Sequence, residues 1–175
     1  MNLSVVIVSY RSAHLIEELI SSIPKAFETI IVENSKNLNL KNKLEEKYDN
    51  VQIVIPETNL GVAKATNLGI KKAKNNFVFC LSPDIKFATE CFLEIGKLID
   101  YFRDFTMLAP TYLDEEIHKN YKIEKNTINE NKIKINNYNL INVQEIDTVA
   151  VVINKSKINL MEIMDENFFL YFESV

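Results

Sequence analysis

The 175-residue sequence has no tryptophan, three glycines, four prolines and two cysteines. So little glycine excludes collagen-like and low-complexity architectures, and it leaves few places where the backbone can turn left-handed without strain. Cys80 lies inside an apolar run and Cys91 opens a helical pattern; there is no Cys-x-x-Cys spacing, and neither His14 nor His118 stands near enough to complete a zinc set. A disulfide scaffold and a zinc module are therefore excluded, and both thiols are expected to be reduced core or near-core groups of a cytoplasmic protein. No apolar run reaches the ~20 residues of a membrane span. The first apolar stretch lacks a charged leader and is broken by Ser9, Tyr10 and Arg11, so no signal peptide is expected. Peripheral contact at the inner face of a membrane is left open. The net charge is -4, with lysines and acids interspersed, which argues against a nucleic-acid binder working by phosphate neutralisation. Lys71, Lys72 and Lys74 read as a solvated helix face.

What is present is a chain 47% hydrophobic, long enough for one substantial core. A single domain over 1–175 is expected. Leu3 to Val8, Thr29 to Val32 and Phe77 to Leu81 are short, continuous, largely β-branched runs, the pattern of strands buried on both faces of a parallel sheet. Between them, Leu15, Ile16, Leu19, Ile20 and Ile23 form an apolar stripe at helical spacing, with Ser12 as the expected cap and Pro24 as the stop. Leu40 to Tyr48 predicts a second helix, Val51 to Ile55 another strand, Val62 to Ala73 a helix of small residues, and Thr89 to Arg103 a helix with Phe92, Ile95, Ile99 and Phe102 on one face. Met107 to Ala109 starts a further strand. From Glu115 to Asn142 the chain is rich in Asn, Lys, Ile and Glu; only Lys132 to Ile135 alternates, predicting a β-ribbon. Val149 to Ile153 reads as a last strand. The predicted fold class is α/β, a mostly parallel sheet flanked by helices and mixed toward the C-terminus.

In such sheets, ligands bind beyond the carboxyl ends of the strands. Three of these ends carry polar residues: Ser9-Tyr10-Arg11, Glu33-Asn34-Ser35 and Ser82-Pro83-Asp84. Glu33 suits ribose hydroxyls or a base edge, and is equally an ordinary turn residue. Asp84 suits a hard divalent cation such as Mg2+ or Mn2+ held jointly with a diphosphate; Ser-Pro-Asp is also common turn chemistry. Gly61, Ala65 and Gly69 share one helical face, a device for close packing and a possible ligand wall. Neither the P-loop pattern nor Gly-x-Gly-x-x-Gly is present, which excludes the nucleotide enzymes that depend on them.

Taken in order, Val5-Val6-Ile7-Val8-Ser9-Tyr10, Ile31-Val32-Glu33-Asn34-Ser35, Asn59-Leu60-Gly61 through Asn67-Leu68-Gly69, Leu81-Ser82-Pro83-Asp84, and Asp165 through Glu173 resemble the motifs of family 2 glycosyltransferases, most closely the rhamnosyltransferase-like branch. The resemblance implies a GT-A fold, a nucleotide-diphosphate-sugar donor, a divalent metal and inversion at the anomeric carbon. It also implies a glycan or lipid-linked acceptor, as in surface polysaccharide synthesis. By position, Ser9, Tyr10, Glu33, Asn59, Gly61, Asn67 and Asp84 would surround the nucleotide sugar, with Asp84 at the metal. The sequence departs from the family at two places. Ser82 replaces an Asn or Asp, and Ser174 stands where the base aspartate is expected, which leaves Glu173 as the carboxylate of that motif. The family's helices after this motif would lie past Val175. A degenerate transferase that holds nucleotide sugar or a partner without turnover is the alternative. A receiver-like domain would need an acid pair after the first strand, and a nucleotidyltransferase a glycine-rich loop there; both are absent.

Overall fold

The computed structural model describes residues 2–88, 90–111, 119–122, 132–158, 163–167 and 169. In chain order the elements are β1 (Leu3–Ser9), α1 (Ala13–Ser22), β2 (Glu28–Glu33), α2 (Leu38–Lys47), β3 (Val51–Val54), α3 (Gly61–Lys72), β4 (Phe77–Leu81) and α4 (Cys91–Tyr101). They are followed by β5 (Met107–Leu108), β6 (Tyr121–Lys122), β7 (Lys132–Ile135), β8 (Tyr138–Ile141), β9 (Glu145–Ile146) and β10 (Ala150–Asn154). The β-branched runs enter one six-stranded sheet in the order β3-β2-β1-β4-β10-β5. Pairing is parallel from β3 to β4 and antiparallel on both sides of β10. The fold is therefore the mixed α/β arrangement expected, with one refinement: β10 inserts between β4 and the short β5.

Alternation along β1 divides the core. Leu3, Val5 and Ile7 face α1, α2 and α4, packing with Ile16, Leu44 and Phe92 among others. Val6 faces the opposite side, where Ala63, Ile70 and Met164 cover the sheet. Each fully buried side chain of this size contributes roughly 1.5–3 kcal/mol of transfer free energy, so both layers are needed for stability. Several element ends differ from expectation. Ser12 takes the cap position of α1 and its carbonyl accepts from Ile16 N at 3.0 Å, but its hydroxyl does not cap the helix, pairing instead with that of Ser9 at 3.0 Å. α4 ends at Tyr101 because Phe102 is extended and its ring packs on Phe105; Thr89 and His118 lie outside the described residues. The ribbon predicted from Lys132 to Ile135 is present as the β7–β8 hairpin, its two-residue turn carrying Asn136 at φ 52°. Tyr138 ties that hairpin to α4 by donating to Glu94 Oε2 at 2.7 Å, and this bond is the main reason the phenol is pushed up to about 12.

Burial pushes the Cys80 thiol up to about 12 and that of Cys91 up to about 11; both are free cysteines. Among the described residues, no helix is long and apolar enough to cross a membrane. The helix layer lies close to the sheet at Gly69, where an added Cβ would lie 2.4 Å from Val6 Cγ1. Alanine gains about 1 kcal/mol over glycine in a helix, but overpacking here costs ~1–3 kcal/mol. Gly69→Val, which adds bulk without that propensity gain, is expected to destabilise by the upper end of that range, read as a lower urea midpoint.

Candidate functional site

Parallel pairing brings the ends of β1, β2 and β4 to one edge of the sheet, where a cavity of about 780 Å3 opens. Its walls include Tyr10 after β1, Asn34 after β2, Asn59 and Gly61 at the start of α3, and Ser82 and Pro83 after β4. Asp147, Thr148 and Val149, the approach to β10, complete the lining with Met164 and Phe169. Tyr10 is 50% exposed and Phe169 59% exposed, so both rings reach solvent at the rim, with the Arg11 guanidinium 5.2 Å from the centroid of the Tyr10 ring.

The loops that shape this cavity are held by buried amides. Asn34 Nδ2 donates to the Gly61 carbonyl at 3.1 Å while its Oδ1 accepts from Leu60 N at 3.2 Å, joining β2 to α3. Asn59 Oδ1 accepts from Gly61 N at 3.0 Å. Gly61 sits at φ 73°, and a Cβ there would lie 2.5 Å from the Phe169 carbonyl oxygen; conformation and space both require glycine. That carbonyl accepts from Val62 N at 3.0 Å. The first amides of α3 are thus used inside the protein, which removes the bare helix end that anion sites exploit. Asn67, 1% exposed, donates to the Met164 carbonyl and to Glu166 Oε1, each at 3.0 Å, and accepts from Met164 N at 3.2 Å.

The residues singled out from sequence separate into three groups. Tyr10, Asn59 and Gly61 line the cavity. Ser9, Glu33 and Asn67 are buried behind its wall: the Glu33 carboxylate accepts from Ser35 N at 3.1 Å, from the Ser35 hydroxyl and from Asn37 N at 2.7 Å, so its oxygens are spent on its own turn. Asp84 is exposed in the turn that Ser82 and Pro83 bring to the rim. Glu173 and Ser174 lie outside the described residues, as do Tyr171 and Phe172. No group of three or more His, Cys, Asp or Glu suited to a metal occurs among the described residues. One exposed Asp beside an open cavity does fit a hydrated magnesium-type ion that takes its remaining ligands from a diphosphate.

Sequence reasoning missed Asp147. Of the described residues lining the cavity, it is the one with an ionisable carboxylate. An acid ahead of a strand falls at the wrong edge of a parallel sheet, and only the antiparallel pairing of β10 with β4 brings Asp147 to this one. Asn34 was visible in its motif, but its bonding to residues 60 and 61 depends on tertiary structure.

A model of the family described as glycosyl transferase family 2 matches residues 4–166. The chain belongs to glycosyl transferase family 2. Among solved structures, this family 2 domain is similar to S. aureus TarS 1–349, at 29% identity and TM-score 0.50 over 57% of this chain and 32% of that one. TarS 1–349 in complex with UDP aligns over 97% of this chain and 52% of the other, with TM-score 0.67 and 20% identity, a likeness of fold. The Pyrobaculum calidifontis mannosyltransferase PcManGT, solved with GDP-Man and Mn2+, aligns over 62% of this chain and 34% of its own, at TM-score 0.55 and 18% identity. These GT-A neighbours agree with the expected fold class. The chain spans between 32% and 52% of the length of these TarS structures. No curated protein matches it.

Asn67→Ala would leave the Met164 amide and carbonyl buried without their partner, at a cost of about 1–3 kcal/mol. The expected result is faster amide exchange over residues 163–167, with β1 and β4 unchanged; uniform acceleration across the domain would contradict this assignment.

Proposed function

We propose that this domain binds a nucleotide-diphosphate sugar in the cavity at the strand ends and transfers the sugar, with inversion, to a hydroxyl of a glycan or lipid-linked acceptor. The observation that carries this reading is the family match over residues 4–166, coinciding with a cavity lined by Tyr10, Asn59, Gly61 and Ser82. The exposed rings of Tyr10, which carries Arg11 over one face, and Phe169 offer stacking surface for a base or sugar ring. Glu33 and Asn67 act from behind the wall, Glu33 by fixing the Ser35 turn and Asn67 by holding Met164. By resemblance, Glu173 and Ser174 hold the motif position of the family's base aspartate.

Asp84 is the proposed protein ligand for Mg2+ or Mn2+. A cation there, once bound, supplies positive charge against the departing diphosphate. The structures of TarS 1–349 with UDP-GlcNAc and of PcManGT with GDP-Man and Mn2+ suggest which donors to try first. The order of the motifs resembles the rhamnosyltransferase-like branch, so a deoxyhexose donor belongs in the same set. A role in surface polysaccharide assembly follows from that branch. The chain is read as acting on the cytoplasmic side, with contact at the inner membrane face left open. Ser174 in the base position favours one second reading, a binding module without turnover, and any measurable sugar transfer would eliminate it.

Calorimetry with UDP, UDP-GlcNAc, GDP-mannose and a nucleotide-diphosphate deoxyhexose, with and without Mn2+, tests donor binding. At least one is expected to bind more tightly with the metal. Asp84→Asn removes a charged contact of ~1.5–3 kcal/mol and is expected to weaken metal-supported binding roughly 10- to 100-fold. Absence of binding to any nucleotide sugar would overturn the proposal.

A further inference from the structure

We propose that Asp147 is the catalytic base that takes the proton from the acceptor hydroxyl, an inference that rests on the donor-site reading above. Asp147 lines two cavities at once. One is the candidate donor cavity; the other, of about 1060 Å3, lies along the β5 edge of the sheet and is walled by Phe105, Met107, Tyr121, Ile141 and Ile146. A carboxylate at the junction of two cavities stands where a donor held in one meets an acceptor arriving through the other. The lining of the second cavity mixes those apolar residues with polar ones such as Asn120, Lys122 and Glu145, suited to an acceptor that joins a hydroxylated head to an apolar body.

The backbone around this carboxylate is fixed. Asp147 N donates to the Asn120 carbonyl at 2.8 Å, Val149 N donates to Asp147 Oδ1 at 3.1 Å, and the Val149 carbonyl accepts from Ser82 N at 2.9 Å. The last bond ties the loop to the turn that carries Asp84. A base must be positioned before its proton affinity matters, and three bonds to two separate segments provide that positioning. In the transfer step, the acceptor oxygen forms a bond to the anomeric carbon and the bond from that carbon to the diphosphate oxygen breaks. The hydroxyl proton passes to Asp147, and the nucleoside diphosphate leaves with the electron pair. This places the base on the β10 approach and assigns it a residue independent of Ser174.

Asp147→Asn is the informative variant, because the amide oxygen still accepts from Val149 N and the turn is kept. The assay is nucleoside diphosphate release from whichever of UDP-GlcNAc or GDP-mannose binds in calorimetry, with Mn2+, water serving as acceptor. Wild-type release is followed against pH, where a base that must be ionised to work gives the profile an acid limb. Asp147→Asn should lower the rate by about 100-fold or more, lose that acid limb, and keep donor affinity within about threefold. Asp147→Glu should restore part of the rate, and thermal midpoints of the variants should match wild type. An Asp147→Asn protein with the wild-type rate and acid limb overturns the inference, as does an acid limb that disappears with Glu173→Gln instead. Donor binding without release by wild type also overturns it and leaves the donor site standing; absence of donor binding removes the donor reading, and this inference with it.

Discussion

The site depends on how closely α3 approaches the sheet. Gly69 permits that approach, since a Cβ there would lie 2.4 Å from Val6 Cγ1, and both groups are packed between helix and sheet, where such an overlap is relieved only by moving neighbours. With α3 drawn in, its first residues reach the strand ends, where Asn34 grips the backbone of residues 60 and 61. The same helix presents Asn67 to Met164 and Val62 N to the Phe169 carbonyl. One helix therefore sets both walls of the cavity, the β2 side through Asn34 and the C-terminal side through Asn67. The two glycines eight residues apart do different things: Gly69 lets the helix touch the sheet, and Gly61 lets the chain turn left-handed beneath Phe169.

The polar residues of this region divide between those that shape the cavity and those that face it. Glu33, Asn34 and Asn67 are almost wholly buried and their polar atoms are bonded within the protein. Such groups are costly to leave unpaired, so their value is geometric rigidity. Tyr10, Asn59 and Asp147 face the open space. Asp84 stands in the Ser82-Pro83-Asp84 turn beside the cavity, and the carboxylate in its lining is that of Asp147 from the β10 approach, a segment tied to that turn by the bond from Ser82 N to the Val149 carbonyl.

Much of the fold was legible because local patterning and tertiary burial agree. The continuous apolar runs of β1, β2 and β4 are what strands covered on both faces must look like, and the stripe Ile16, Leu19, Ile20 predicts the buried face of α1. Strand order was less legible. Val149 to Ile153 announces a strand, but nothing local says that it enters antiparallel between β4 and β5, and the position of Asp147 follows from that pairing alone. Ser9 and Glu33 stand at the predicted strand ends, yet sequence could not tell an oxygen that faces a cavity from one satisfied by its own turn. The Ser9–Ser12 and Glu33–Ser35 contacts decide that.

The central claim is that the strand-end cavity, bounded by α3 and the β10 approach, receives the nucleotide of a donor. Amide hydrogen exchange of the chain with and without UDP and Mn2+ measures this most directly. Slower exchange confined to residues 9–12, 59–62, 82–84 and 147–149 is the predicted result. Protection concentrated instead around Phe105 and Tyr121, or no change at saturating UDP, would contradict it.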